Sequence, residues 1–242
     1  MKTLQRLLII ALCLLIPSSA MTWGLGVMSG GVASVGGECT GLLVCQNFET
    51  ATTGYDNTSN ETWTPSADTH GVISPAYTTN PLRGSQSLLI TQATDGDSSS
   101  VSATFTAQSH IHGFFIVAAA NPSDNVDILK IQNSSNVNVM KIAWRDNGII
   151  GLNVGGGDDE RTETAPGSPL YIWFDYTKGT GANAIAHLYI STTKTKPAAT
   201  LTITAGTSVT DASKIVLESS YSTGGFKFDQ IMISTDEFTP GA

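Results

Sequence analysis

The chain has 242 residues, 40% of them hydrophobic and 13% charged, with 12 basic against 20 acidic side chains and a formal net charge of −8. Such an acidic surface repels phosphate backbones and anionic lipid headgroups, which argues against nucleic acid and membrane surfaces as partners. Acidic polysaccharide is disfavoured as well unless a cation bridges it.

At the start of the chain, Lys2 and Arg6 flank the beginning of an unbroken apolar run from Leu7 to Ile16, followed by Pro17, Ser18, Ser19 and Ala20. This is the pattern of a secretion signal cleaved near Ala20, and Cys13 belongs to it. The run is about half the roughly 20 residues a membrane helix needs, and no later segment approaches that length, so no membrane span is expected. Cleavage would remove two basic residues and no acid, leaving a net charge of about −10. Residues 21–38 are too rich in glycine for a helix and lack strand alternation, so they read as a flexible leader. The remainder, 39–242, suits one all-β domain with a substantial core.

Cys39 and Cys45 open this domain. In an extended strand they would stand about 20 Å apart, whereas a disulfide needs Cα atoms within roughly 7 Å. A bridge between them therefore requires a turn, for which Thr40-Gly41 is the local candidate, and it suits the oxidising space outside the cytoplasm. The alternative is a buried Cys45 with a free Cys39.

Strand patterns follow at 42–48, 86–92, 100–106, 112–119, 126–132, 137–145, 148–154, 170–178, 184–191, 199–205, 213–219 and 226–234. Clusters of Asn, Asp, Gly, Ser and Pro separate them, and no window of helical length carries a sustained 3.6-residue apolar stripe. The fold class is thus all-β, a sandwich or jelly roll. Between them, 50–84 is polar and turn-rich and reads as a long ordered loop. In the hairpin of 170–178 with 184–191, alternation turns Ile172, Phe174, Tyr176, Ala186, Leu188 and Ile190 to one face. The other face carries Tyr171, Trp173, Asp175, His187 and Tyr189. Aromatic rings beside a carboxylate and an imidazole suit a sugar ring, whose apolar faces stack while its hydroxyls bond to polar groups. The same face could instead pack beneath the second sheet or the long loop.

Four stretches carry a resemblance: Val44 to Glu49 with its Phe48-Glu49, Pro81-Leu82-Arg83-Gly84-Ser85-Gln86-Ser87-Leu88, Tyr171 to Gly179, and Phe228-Asp229-Gln230-Ile231. They resemble the opening strand, the small-residue turn, the aromatic strand and the closing strand of the concanavalin A-like lectin/glucanase superfamily, in its laminin G-like (LamG-like) branch. The resemblance implies a jelly-roll β-sandwich of two antiparallel sheets, with ligands on the concave face or the rim loops. Relatives bind glycans, cleave them or serve in adhesion, and calcium is common among them. Asp158, Asp159 and Glu160 are the first acidic candidates here for calcium, with Asp95, Asp97, Asp124 and Asp127 as others. Hard oxygen ligands suit that ion, yet a solvated acidic turn explains each cluster, because none has a recognisable loop spacing.

Hydrolases of the superfamily set carboxylates at alternate positions of one strand. The nearest match, Asp158-x-Glu160-x-x-Glu163, swaps the acid types and follows three glycines. Alginate-lyase relatives resemble R-T-E on one strand and Q-I-H on another. Arg161-Thr162-Glu163 and Ile111-His112 echo these in reversed order, with His110 in place of the glutamine. His110 and His112 share a strand face, as zinc ligands do, without a third ligand at a suitable spacing. The sequence therefore points to a secreted or surface-exposed, non-catalytic binding module for extracellular glycan or a surface protein. A structural or adhesion subunit of an envelope, matrix or virion is the main alternative, and a polysaccharide hydrolase or lyase a weaker one.

Overall fold

The computed structural model describes residues 39–49, 62–92, 98–122, 125–155, 161–220 and 222–240. The signal, the leader and the acidic residues Asp158, Asp159, Glu160, Asp95, Asp97 and Asp124 lie outside them. The described strands are β1 (Val44–Gln46), β2 (Trp63–Ser66), β3 (Gly71–Tyr77), β4 (Ser87–Gln92), β5 (Ser98–Gln108), β6 (His110–Pro122), β7 (Val126–Gln132) and β8 (Asn138–Trp144). They continue with β9 (Ile149–Val154), β10 (Arg161–Thr164), β11 (Leu170–Thr177), β12 (Ala184–Ser191), β13 (Leu201–Gly206), β14 (Ala212–Ser220) and β15 (Ser222–Ser234). Among the described residues no helix is long and apolar enough to cross a membrane.

The strands form two antiparallel sheets that pack as a jelly-roll β-sandwich. Sheet A has the order β13-β12-β11-β6-β15-β4-β3, and sheet B the order β10-β9-β8-β7-β14-β5-β2. β4 and β1 share one edge of β15, β4 along its first half up to Phe228 and β1 along Ile231 to Ile233. Every strand expected from alternation overlaps an observed one. The reading of 50–84 as a loop needs correction: residues 50–61 lie outside the described residues, but 62–84 supply β2 and β3, which edge the two sheets. Both contain proline, at Pro65 and Pro75, and neither shows a clean apolar alternation, so edge strands of this kind give little sequence signal.

Side chains facing inward from both sheets make one core. Trp144 of sheet B meets Phe226 of sheet A edge-on at 5.9 Å, and Phe115, Phe174 and Phe228 continue the aromatic layer. Each fully buried ring or branched aliphatic contributes about 1.5–3 kcal/mol. Gly113 faces Phe174 across β6 and β11, and a Cβ there would lie 1.9 Å from that ring, so the close approach requires glycine.

Parity breaks along β15 between Phe228 and Ile231. Phe226 and Phe228 point inward, and so do Ile231 and Ile233, which is possible only with an extra residue between the pairs. Gln230 takes φ +48° there, and the register with β6 shifts between Asp229 and Met232. The bulge holds the Asp229 carboxylate in the interior, where it accepts hydrogen bonds from Gln230 N–H (2.8 Å), Ser87 Oγ (2.9 Å) and Arg83 N–H (3.0 Å). Close by, the Glu49 carboxylate accepts from Ser85 N–H and from Ser85 Oγ at 2.6 Å. Two carboxylates thus tie the 82–87 turn to the sheet. At the chain's first described residues, Cys39 and Cys45 form a disulfide with Cα atoms 5.5 Å apart, across the turn at Thr40-Gly41, where Gly41 takes φ +80°.

Burial pushes the Asp229 carboxyl up to about 8, against the three hydrogen bonds that lower it, and the Glu49 charge adds to the rise. The folded chain therefore binds a proton at this site more tightly than the unfolded chain, whose ordinary value is 3.8. This site's contribution to stability is therefore full below about pH 4, declines as pH rises toward 8, and levels off above it. Thermal melts across that window should show the decline in the wild type and a flatter profile in Asp229→Asn; equal slopes in the two proteins would refute this assignment.

Candidate functional site

The inward set of sheet A fixes what its outer face carries. Directly opposite one another across five strands stand Ser234 (β15), His112 (β6), Asp175 (β11), His187 (β12) and Thr202 (β13). One step along lies an apolar row of Met232, Phe114, Trp173 and Tyr189. The five residues expected to share a face, Tyr171, Trp173, Asp175, His187 and Tyr189, do share it.

That face is not an open platform. Trp173 is 3% exposed and packs at 4.9 Å against Phe114, within a cluster that includes Cys39, Cys45, Ile116 and Met232. Leu42, Leu82 and Phe238 lie against the same cluster, so the segment around the disulfide and the segment after β15 cover it. Tyr171 stacks on Phe114 at 6.5 Å and is half-buried. The expectation of an exposed stacking ring at Trp173 is therefore corrected: the apolar row is large enough to recruit its own cover, and alternation within one hairpin says nothing of segments distant in sequence.

The polar row stays nearer to water, and two of its members, His112 and Asp175, belong to a hydrogen-bonded chain. His110 Nδ1 lies 2.5 Å from Thr177 Oγ1, and the Nε2 atoms of His110 and His112 are 2.8 Å apart. His112 Nδ1 lies 2.5 Å from Asp175 Oδ1 and donates to it, because a carboxylate can only accept. The other oxygen of Asp175 accepts from Tyr189 Oη at 2.6 Å. Lys196 Nζ sits 4.2 Å above the Tyr189 ring, 3.9 Å from Asp175, and donates to Glu237 at 2.8 Å. His187 stands apart from this chain, its Nδ1 3.0 Å from Thr202 Oγ1. Burial, with the neighbouring His112 next, lowers the His110 pKa, while Asp175 opposes the shift. Burial and then the bond to Asp175 hold the Tyr189 phenol above its ordinary range.

Beside this chain is a pocket of about 530 Å3 lined by Trp173, Lys194, Thr195, Lys196, Glu237, Phe238, Thr239 and Pro240. Its walls are the loop after β12 and the segment after β15, and Trp173 borders it from the sheet. The indole Nε1–H of Trp173 is buried without a hydrogen-bond partner. A buried unpaired donor costs about 1–3 kcal/mol. Lys194, Lys196, Glu237 and Phe238 were not anticipated from the sequence, because their part in the site depends on how the segments after β12 and β15 fold back.

The residues of the lyase-like motifs do not come together. Arg161 and Glu163 are exposed on β10, at the edge of sheet B, whereas His112 is central in sheet A. Asp158, Asp159 and Glu160 lie outside the described residues. Among those residues no group of three or more His, Cys, Asp or Glu side chains is arranged to hold a metal ion.

In comparisons with known proteins, no family model and no curated protein matches the chain. Solved structures do. A sialidase superposes with a TM-score of 0.59 at 11% identity, over 81% of this chain but 19% of the sialidase. An endo-β-1,4-glucuronan lyase from the fungus Trichoderma reesei superposes at 0.55 with 10% identity, over 81% of this chain and 96% of that one. An alginate lyase in complex with an alginate trisaccharide follows at 0.51 and 10%, over 80% and 98%. At these identities the likeness establishes the jelly-roll sandwich and nothing finer.

With its ring enclosed, Trp173 acts first as a packing residue. Trp173→Ala should cost about 3–5 kcal/mol in urea unfolding, and Trp173→Phe, which keeps most of the volume and discards the unpaired N–H, distinctly less. Unchanged stability in Trp173→Ala would mean that the ring is exposed after all.

Proposed function

We propose that the protein is a secreted or surface-exposed module of the concanavalin A-like, LamG-like type that binds extracellular glycan without transforming it. The observation that carries this reading is the pocket bordered by Trp173 and Phe238, whose rim offers Lys194, Thr195, Lys196, Glu237 and Thr239. Donors and acceptors of both charges around an apolar floor suit a hydroxyl-rich ligand. The disulfide between Cys39 and Cys45 fits an oxidising compartment.

A non-catalytic role is supported by the state of the groups that a lyase or hydrolase would use. Tyr189 donates a hydrogen bond to Asp175 and is held in its neutral form, which makes it a poor base. Arg161, the arginine of the lyase-like motif, is on the other sheet. Calcium belongs to the proposal only as a condition to be varied.

A glycan array on the purified protein, with calcium and again with EDTA, tests the reading. Saturable binding to a defined sugar is expected, weakened about tenfold or more in Lys196→Ala and accompanied by a change in tryptophan fluorescence. Silence across neutral and acidic glycans in both buffers, together with large assemblies on size exclusion, would favour a structural subunit instead.

A further inference from the structure

We propose that His110 and His112 form a binding site for a divalent transition-metal ion, Cu2+ in preference to Zn2+, with water completing its coordination. The two residues lie two apart on β6 and so emerge from the same face, and their Nε2 atoms converge to 2.8 Å. Both rings are held from behind. His112 Nδ1 donates to Asp175, itself fixed by Tyr189, and His110 Nδ1 is engaged by Thr177. Metal-binding imidazoles characteristically give their second nitrogen to a carboxylate or another oxygen in this way, which fixes the tautomer and aims the free lone pair.

With its Nδ1–H donated to the carboxylate, neutral His112 presents Nε2 as a lone pair. His110 either lends an Nε2–H to that lone pair or, with its Nδ1–H turned onto Thr177, presents a second one. When an ion binds, the His110 proton resides on Nδ1 facing Thr177, so that both Nε2 lone pairs are free for the metal, and in acid protons compete for those lone pairs and affinity falls. Two nitrogens 2.8 Å apart, each about 2.0 Å from one ion, subtend about 90° at it. That angle matches neighbouring positions of the tetragonal arrangement favoured by Cu2+ and Ni2+, and Cu2+ is the tightest binder of its series. Tetrahedral Zn2+ would require the nitrogens to separate by about half an ångström. His112 retains 18% side-chain exposure, so water can reach the ion.

The site is tested by titrating purified protein with Cu2+ at neutral pH, reading affinity by calorimetry and the ligand set by electron paramagnetic resonance. One ion per chain with two imidazole nitrogens is expected, bound at least about tenfold more tightly than Zn2+. His110→Gln leaves the His112 and Asp175 pair intact and should lose one nitrogen and about tenfold or more in affinity. Asp175→Asn should keep both nitrogens and bind about 10- to 100-fold more weakly. Copper bound by His110→Gln with wild-type affinity and spectrum, in protein that melts like the wild type, would place the ion elsewhere and overturn the proposal. So would no binding by the wild type, while equal affinity for Zn2+ would overturn the geometric preference.

Discussion

One strand has to bring four large apolar side chains to the core from positions that strict alternation cannot align. Phe226 and Phe228 sit on even positions of β15, Ile231 and Ile233 on odd ones, and the bulge at Gln230 reconciles them. Because β15 lies between β6 and the β4 and β1 pair, that change of parity is felt across sheet A. It turns Met232 and Ser234 outward, in line with Phe114 and His112, and it sets Cys45 opposite Met232. The disulfide then brings Cys39 onto the same outer cluster. The covered apolar row and the polar row beside it thus descend from one inserted residue.

The two rows behave differently for energetic reasons. The apolar row carries enough surface to draw Leu42, Leu82 and Phe238 onto it, since burying such side chains contributes about 1.5–3 kcal/mol each. The polar row cannot be covered as cheaply, so its members satisfy one another: Asp175 accepts from His112 and Tyr189, and Lys196 bridges toward Glu237. The pocket lies where the cover ends and the polar row begins. Its lining sets Trp173 and Phe238 beside Lys194, Lys196 and Glu237, so that aromatic rings and both signs of charge meet there.

Much of this was legible in the sequence, and the limits have physical causes. Alternation within β11 and β12 correctly sorted Ile172, Phe174 and Tyr176 from Tyr171, Trp173 and Asp175, because both strands are flanked on either side and their period is regular. It could not tell that Trp173 is enclosed, since the segments that enclose it come from the two ends of the folded region. The link from His112 to Asp175 depends on the register of β6 against β11, which are separated by more than 45 residues and four intervening strands. β10 escaped notice because its four residues, Arg161 to Thr164, are all exposed and polar.

The edge strands carry a consequence of their own. β2 contains Pro65 and β3 contains Pro75, and proline has no N–H to offer an incoming strand; β10 presents Arg161 and Glu163 along its exposed length. Among the described residues these three edge strands are therefore poor templates for strand addition. The edge strand β13 at the far side of sheet A reads Leu-Thr-Ile-Thr-Ala-Gly, with neither proline nor charge. Of these four described edges, β13 is accordingly the most receptive to backbone-mediated joining of one molecule to another.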